Sequence, residues 1–166
     1  MSKTYIREIL ADQVQPGPLE INGWVRTHRQ SKNISFIELT DGTAVKGLQL
    51  VISPSLEGYA DLAPKLSTGA SIGVKGSLVT SPAKGQKYEL QVESLRLYGE
   101  ADAESYPLQK KGHSLEFLRE ILHLRPRSQT FGAIFRLRSK ASLAVHQFFQ
   151  DRGFVYLQSP IISTSD

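Results

Sequence analysis

Between Asn22 and Ile52 the chain reads NGWVRTHRQSKNISFIELTDGTAVKGLQLVI, and over much of it apolar residues recur at every second position. Side chains of a strand alternate between its two faces. Ile37 and Leu39 therefore point one way, and Phe36 and Glu38 the other. On the following run Leu48, Leu50 and Ile52 share a face, with Gln49 opposite. A sheet with this pattern has a dry side and a wet side. The wet side collects a ring, Phe36, an amide, Gln49, and a base, Arg26. Stacking, an edge hydrogen bond and a phosphate partner are what an unpaired nucleotide base needs to be held.

The rest of the first hundred residues extends the pattern. Residues 5–14 suit a short leading helix or arm. Strands are expected over 19–29, 34–39 and 46–52, with Asp41-Gly42 as a hairpin signal between the second and third. Leu56, Tyr59, Leu62, Ala63 and Leu66 recur at helical spacing ahead of Gly69, with Pro64 disturbing the last turn. A fourth strand alternates Ile72, Val74, Gly76 and Leu78 against Ser71, Lys75 and Ser77. The loop SPAKGQK leads into a fifth strand, on which Tyr88, Leu90 and Val92 alternate with Glu89, Gln91 and Glu93. The phase slips near Ser94, as at a bulge. Three strands, a helix and two strands is the order of the five-stranded OB-fold barrel, whose second and third strands and loops bind oligonucleotides. The fold class expected is mainly β.

Composition changes after Tyr98. GEADAESYPLQ reads as a linker, and KKGHSLEFLREILHLRPR is a basic block with a short helix over 114–123 capped by Ser114. From Thr130 to Arg152, Ile134, Leu137, Ala141, Ala144, Val145 and Phe148 mark a long amphipathic helix, with Gly153 placed to end it. Residues 154–157 read as a strand, interrupted at Pro160. The divisions expected are 1–103 for the barrel, 104–129 for linker and hinge, and 130–166 for the opening helix and strand of a second domain. A net charge of +4 and a pI near 9.4 favour an anionic partner. Absence of cysteine excludes disulfides and thiolate metal sites. The histidines have no metal-ligand spacing, and no metal site is expected. No apolar run approaches the roughly 20 residues of a membrane span, so no membrane partner is expected and a cytoplasmic location is.

At this point GWVRTHRQSKNISFIEL, GLQLVI, SPAKGQKYELQ, YPLQKKGHSLEFLREILHLRPR and FFQDRGFVYLQSPIISTSD resemble the N-terminal third of bacterial asparaginyl-tRNA synthetases, members of class IIb. The GWV and SFIEL segments are shared across class IIb, and the YPLQKK to HLRPR wording favours the asparaginyl branch. GFVYLQSPII resembles motif 1 of class II synthetases, the helix and strand that open an α+β catalytic domain. The resemblance implies that the barrel binds the anticodon loop of asparagine tRNA. Phe36 would stack on an anticodon base and Gln49 would read the central uridine. Arg26 and Arg29 would meet phosphate or base edges, and Lys84, Gln86 and Lys87 would flank the other anticodon positions. In the hinge, Lys110, Lys111, Arg125 and Arg127 would touch the tRNA backbone. Pro160 would lie at the interface of a homodimer.

The whole enzyme, by the same resemblance, uses ATP and Mg²⁺ to make asparaginyl-adenylate and then esterifies the tRNA. Motifs 2 and 3, which carry the ATP-binding arginines, do not occur in these residues. No catalytic residue is assigned here, no cofactor is expected on this portion, and residues 1–166 alone are expected to be inactive. Two alternatives stay open. One is a stand-alone module that binds tRNA or single-stranded RNA without catalysis. The other is an aspartyl-type class IIb synthetase, which reads the same central anticodon base.

Overall fold

A computed structural model describes residues 4–83, 85–110, 112–159 and 162. The chain forms two compact units, Met1–Leu124 and Arg125–Asp166, so the expected hinge, 104–129, straddles the division.

In the first unit, strands β1 (Gly17–Gln30), β2 (Ser35–Thr40), β3 (Leu48–Ile52), β4 (Ser71–Thr80) and β5 (Tyr88–Gly99) close a barrel in the order β1-β2-β3-β5-β4. Every neighbouring pair is antiparallel except β3 and β5. Parallel neighbours need a crossover, and residues 53–87 provide it. The helical spacing there yields α2, Tyr59–Leu62, followed by a 3₁₀ turn, Ala63–Lys65. Pro64 lacks the N–H that would carry an α-helix onward. Alternation then decides the core. Ile37, Leu39, Leu50, Ile52, Ile72 and Leu90 are all completely buried.

The leading arm is α1, Ile6–Leu10, and its Ile6 and Ile9 are part of the same core. Asp41 holds its start, its carboxylate accepting from the Ile6 N–H at 2.8 Å and from the Thr43 N–H at 2.9 Å. This revises the expected tight Asp41-Gly42 hairpin. The β2–β3 connection runs from Asp41 to Gly47, because Asp41 caps another element and braces its own loop.

Bulges shape the barrel. Pairing passes from Val25–Leu39 to Thr27–Glu38, leaving Arg26 unpaired in β1. On the other side Lys75 faces Ser94 while Gly76 faces Val92, so Glu93 is the extra residue, close to the expected slip. Gly76 is required there, since a Cβ would meet the Gln91 carbonyl oxygen at 2.1 Å.

α3 spans Leu115–Glu120, with the Ser114 hydroxyl accepting from the Phe117 N–H as expected. The second unit is built on α4, Gln129–Gln150. Its N-cap is Ser128, whose hydroxyl accepts from the Phe131 N–H, so the helix begins one residue before the expected Thr130. Gly153 ends the helix at φ 81°. The expected strand over 154–157 is not formed. A strand must hydrogen-bond to a neighbour, and among the described residues of this unit there is no other strand.

Candidate nucleic-acid interface

Register across β1, β2, β3 and β5 orders the outer face of the barrel into two rows. Arg29 pairs with Phe36, Phe36 with Val51, and Val51 with Gln91. Two residues along each strand, Thr27 pairs with Glu38, Glu38 with Gln49, and Gln49 with Glu89. Phe36 and Gln49, both half-buried, are diagonal neighbours. Such diagonals lie about 7–8 Å apart, within reach of long and aromatic side chains. A planar group stacked on Phe36 can therefore present its edge to Gln49. Arg29 is exposed at the end of the Phe36 row, its guanidinium 5.9 Å from the ring centroid.

The other polar groups of the face already have partners. Arg26 reaches it from the bulge, and its Nη1 donates to Glu38 Oε1 at 3.1 Å and to the Val45 carbonyl at 2.9 Å. Its side chain is only 19% exposed. Arg26 thus orders the β2–β3 loop and holds Glu38, so a contact to phosphate would require it to exchange partners. Gln86 donates from Nε2 to the Ser81 hydroxyl at 2.9 Å and to Glu89 Oε2 at 3.3 Å. Lys87 places Nζ 2.6 Å from Asp12 Oδ2.

Sequence reasoning missed two members of the face. Glu89 was read as an ordinary outward strand residue, yet it is 6% exposed. Its carboxylate accepts from Ser81 Oγ at 2.8 Å and Gln91 Nε2 at 2.9 Å, besides Gln86. Barrel closure against β3 sets this acceptor beside Gln49, where it can receive a base N–H. Only the parallel pairing reveals that neighbour, which no local pattern contains. Val51 could have been noticed, because an apolar residue in the outward phase of β3 is out of place on a wet face. It is 7% exposed and floors the face next to Phe36.

Lys84, Lys111 and Pro160 lie outside the described residues. Lys110 is exposed in the first unit. Arg125 and Arg127 belong to the second unit, where the Arg125 guanidinium lies 4.9 Å from the Phe131 ring centroid and 5.4 Å from that of Phe135. Beneath the face, inward-pointing His28 bonds through Nε2 to the Tyr59 hydroxyl at 2.9 Å. Burial lowers its pKa, and the Leu66 backbone carbonyl, accepting from the imidazole, offsets part of that. Among the described residues no His, Cys, Asp or Glu cluster suits a metal ion.

The closed five-stranded barrel is an OB-fold, and residues 19–98 match the family model for the OB-fold nucleic acid binding domain. The fold recurs in asparaginyl-tRNA synthetase from Pyrococcus horikoshii, with a TM-score of 0.84 at 22% identity over 98% of this chain and 39% of that one. The sequence is 52% identical to asparagine–tRNA ligase of Nostoc sp. over 97% of this chain and 35% of the relative. It is 48% identical to that of Parabacteroides distasonis over 100% of this chain and 35% of the relative. Asparagine–tRNA ligases thus match this chain over nearly its whole length, and the chain spans about a third of the length of these relatives, their N-terminal, OB-fold part.

Proposed function

We propose that the barrel binds the anticodon loop of asparagine tRNA and serves an asparagine–tRNA ligase as its recognition part. The observation that carries this reading is the pair of rows on the outer face. Phe36 offers a stacking surface floored by Val51, Arg29 a cation at its edge, and Gln49 an amide with a donor and an acceptor for a uracil edge. Phosphate contacts add affinity and the base-edge contact adds specificity. Similarity to the ligases supports tRNA as the single-stranded ligand, and a central uridine is the base this reading assigns to Gln49.

The same reading has the whole enzyme use ATP with Mg²⁺ and work as a homodimer. The Pyrococcus horikoshii relative is also known complexed with asparaginyl-adenylate. No cluster among the described residues fits the metal, and the residues assigned here act in recognition alone. A cytoplasmic location suits a tRNA partner.

Anticodon stem-loops with and without the central uridine test the assignment of Gln49. The native chain should prefer the uridine loop by roughly the worth of one or two hydrogen bonds, about 0.5–1.5 kcal/mol each. Gln49→Leu should bind both loops alike. A preference for uridine that survives Gln49→Leu refutes the role given to Gln49.

A further inference from the structure

Asp12 terminates the leading arm at φ 61°, and no other non-glycine residue among those described has positive φ. The arm that presents it is firmly seated. Ile6 and Ile9 are buried in the barrel core, the Arg7 N–H donates to Thr43 Oγ1 at 3.1 Å, and the Asp12 N–H donates to the Ile9 carbonyl at 3.2 Å. The Lys87 backbone is equally fixed, its carbonyl accepting from the Ser81 N–H at 2.9 Å to close the β4–β5 loop. Two anchored segments thus bring a carboxylate and an ammonium to 2.6 Å. The Tyr88 ring centroid lies 5.4 Å from the ammonium.

Lys87 stands two residues before Glu89, at the edge of the face that carries Gln49 and Phe36. It is well placed to meet the backbone of RNA lying on that face. In the free protein, however, its charge is neutralised from the arm. The hydrogen bond from Lys87 is the largest influence keeping the Asp12 carboxyl below its ordinary pKa, and the Lys87 ammonium is raised in return. Both groups are charged at neutral pH.

Building on the anticodon-loop reading, we propose that Asp12 is an internal competitor for RNA phosphate. It occupies Lys87 when no RNA is bound and must be displaced before Lys87 can engage a phosphate. A gate of this kind weakens binding to every RNA backbone by the same factor. Discrimination then rests on Phe36 and Gln49, which the gate does not touch.

Asp12→Asn tests this cleanly, because asparagine tolerates the left-handed backbone that Asp12 adopts. Asp12→Gly is a second variant that suits the same φ without any side chain. With the Asp12 competitor gone, both variants should bind every stem-loop about two- to fivefold more tightly, the range of an exposed ion pair. The dependence of log K on log salt should change by less than about 0.7, the worth of one phosphate on a single strand, because Lys87 engages the same phosphate in native protein and variants. The preference for the uridine loop should stay the same, and the gain in affinity should not appear in a Lys87→Gln background. Unchanged or weakened affinity in both variants overturns the gate. So does a gain that persists in Lys87→Gln, which would reflect net charge alone. Native protein that ignores the central uridine, combined with a Lys87-dependent gain in Asp12→Asn, would count against the anticodon reading and leave the gate standing.

Discussion

Truncation of Phe36 to alanine separates a ligand-facing ring from a structural one. Phe36 points out of the barrel, half-buried between Arg29 and Val51 on neighbouring strands. A phenylalanine side chain buries on the order of 150–250 Å² when fully enclosed. Removing about half of that at ~25 cal/mol per Å² costs about 2 kcal/mol. Because the site opens to solvent, no sealed cavity adds to the cost. A domain stable by about 5–15 kcal/mol survives such a loss. Affinity should suffer more visibly, since stacking one base on an aromatic is worth about 1–3 kcal/mol, or roughly five- to 150-fold in Kd. The same factor should apply to every stem-loop sequence, because each base has a face to stack. Ile37→Ala, one residue away and fully buried, is the contrasting control. It should lose about 2–5 kcal/mol of stability through its cavity. Fluorescence anisotropy with labelled stem-loops and urea unfolding of both variants read the two quantities. A Phe36→Ala protein that unfolds as readily as Ile37→Ala yet binds RNA like the native chain would refute the reasoning.

Two stability predictions concern the barrel itself. Gly76→Ala places a Cβ against the Gln91 carbonyl, a backbone atom that cannot rotate away. It should destabilise by about 3 kcal/mol or more, whereas Gly112→Ala, with open space around it, should stay within about 0.5 kcal/mol; thermal unfolding of the pair checks the contrast. His28 gives a pH dependence of defined sign. Its folded pKa lies below the unfolded value of about 6.5, so the unfolded chain binds more protons between the two values. Stability from this residue is complete above pH ~6.5 and declines as pH falls through that window. Urea titrations between neutral and mildly acid pH should show a shallower decline in His28→Gln, and an identical decline in both proteins would remove His28 as the cause.

Much of the barrel was legible because alternation is a local property. The inward set Ile37, Leu39, Leu48, Leu50 and Ile52 and the outward pair Phe36 and Gln49 follow from counting by twos, and the structure keeps each on its expected side. The β5 slip near Ser94 showed in the same way, as a break in the count. Helical lengths were less legible. The 56–66 pattern gave only Tyr59–Leu62 and a 3₁₀ turn, since Pro64 removes a donor the periodicity does not register. The strand expected over 154–157 illustrates the opposite error. Its residues favour extension, but a strand exists only with a partner to bond, and α4 provides none.

The sequence alone thus determined the fold class, the order of strands and the outward placement of Phe36 and Gln49, all consequences of spacing along one chain. Tertiary structure decided how that face is charged. Closure of β3 against β5 put the buried Glu89 carboxylate beside Gln49, and the β1 bulge turned Arg26 onto Glu38. The seated arm carried Asp12 to Lys87. Each of these pairs joins residues far apart in sequence, and electrostatic partnership depends on distance in space, which periodicity does not encode.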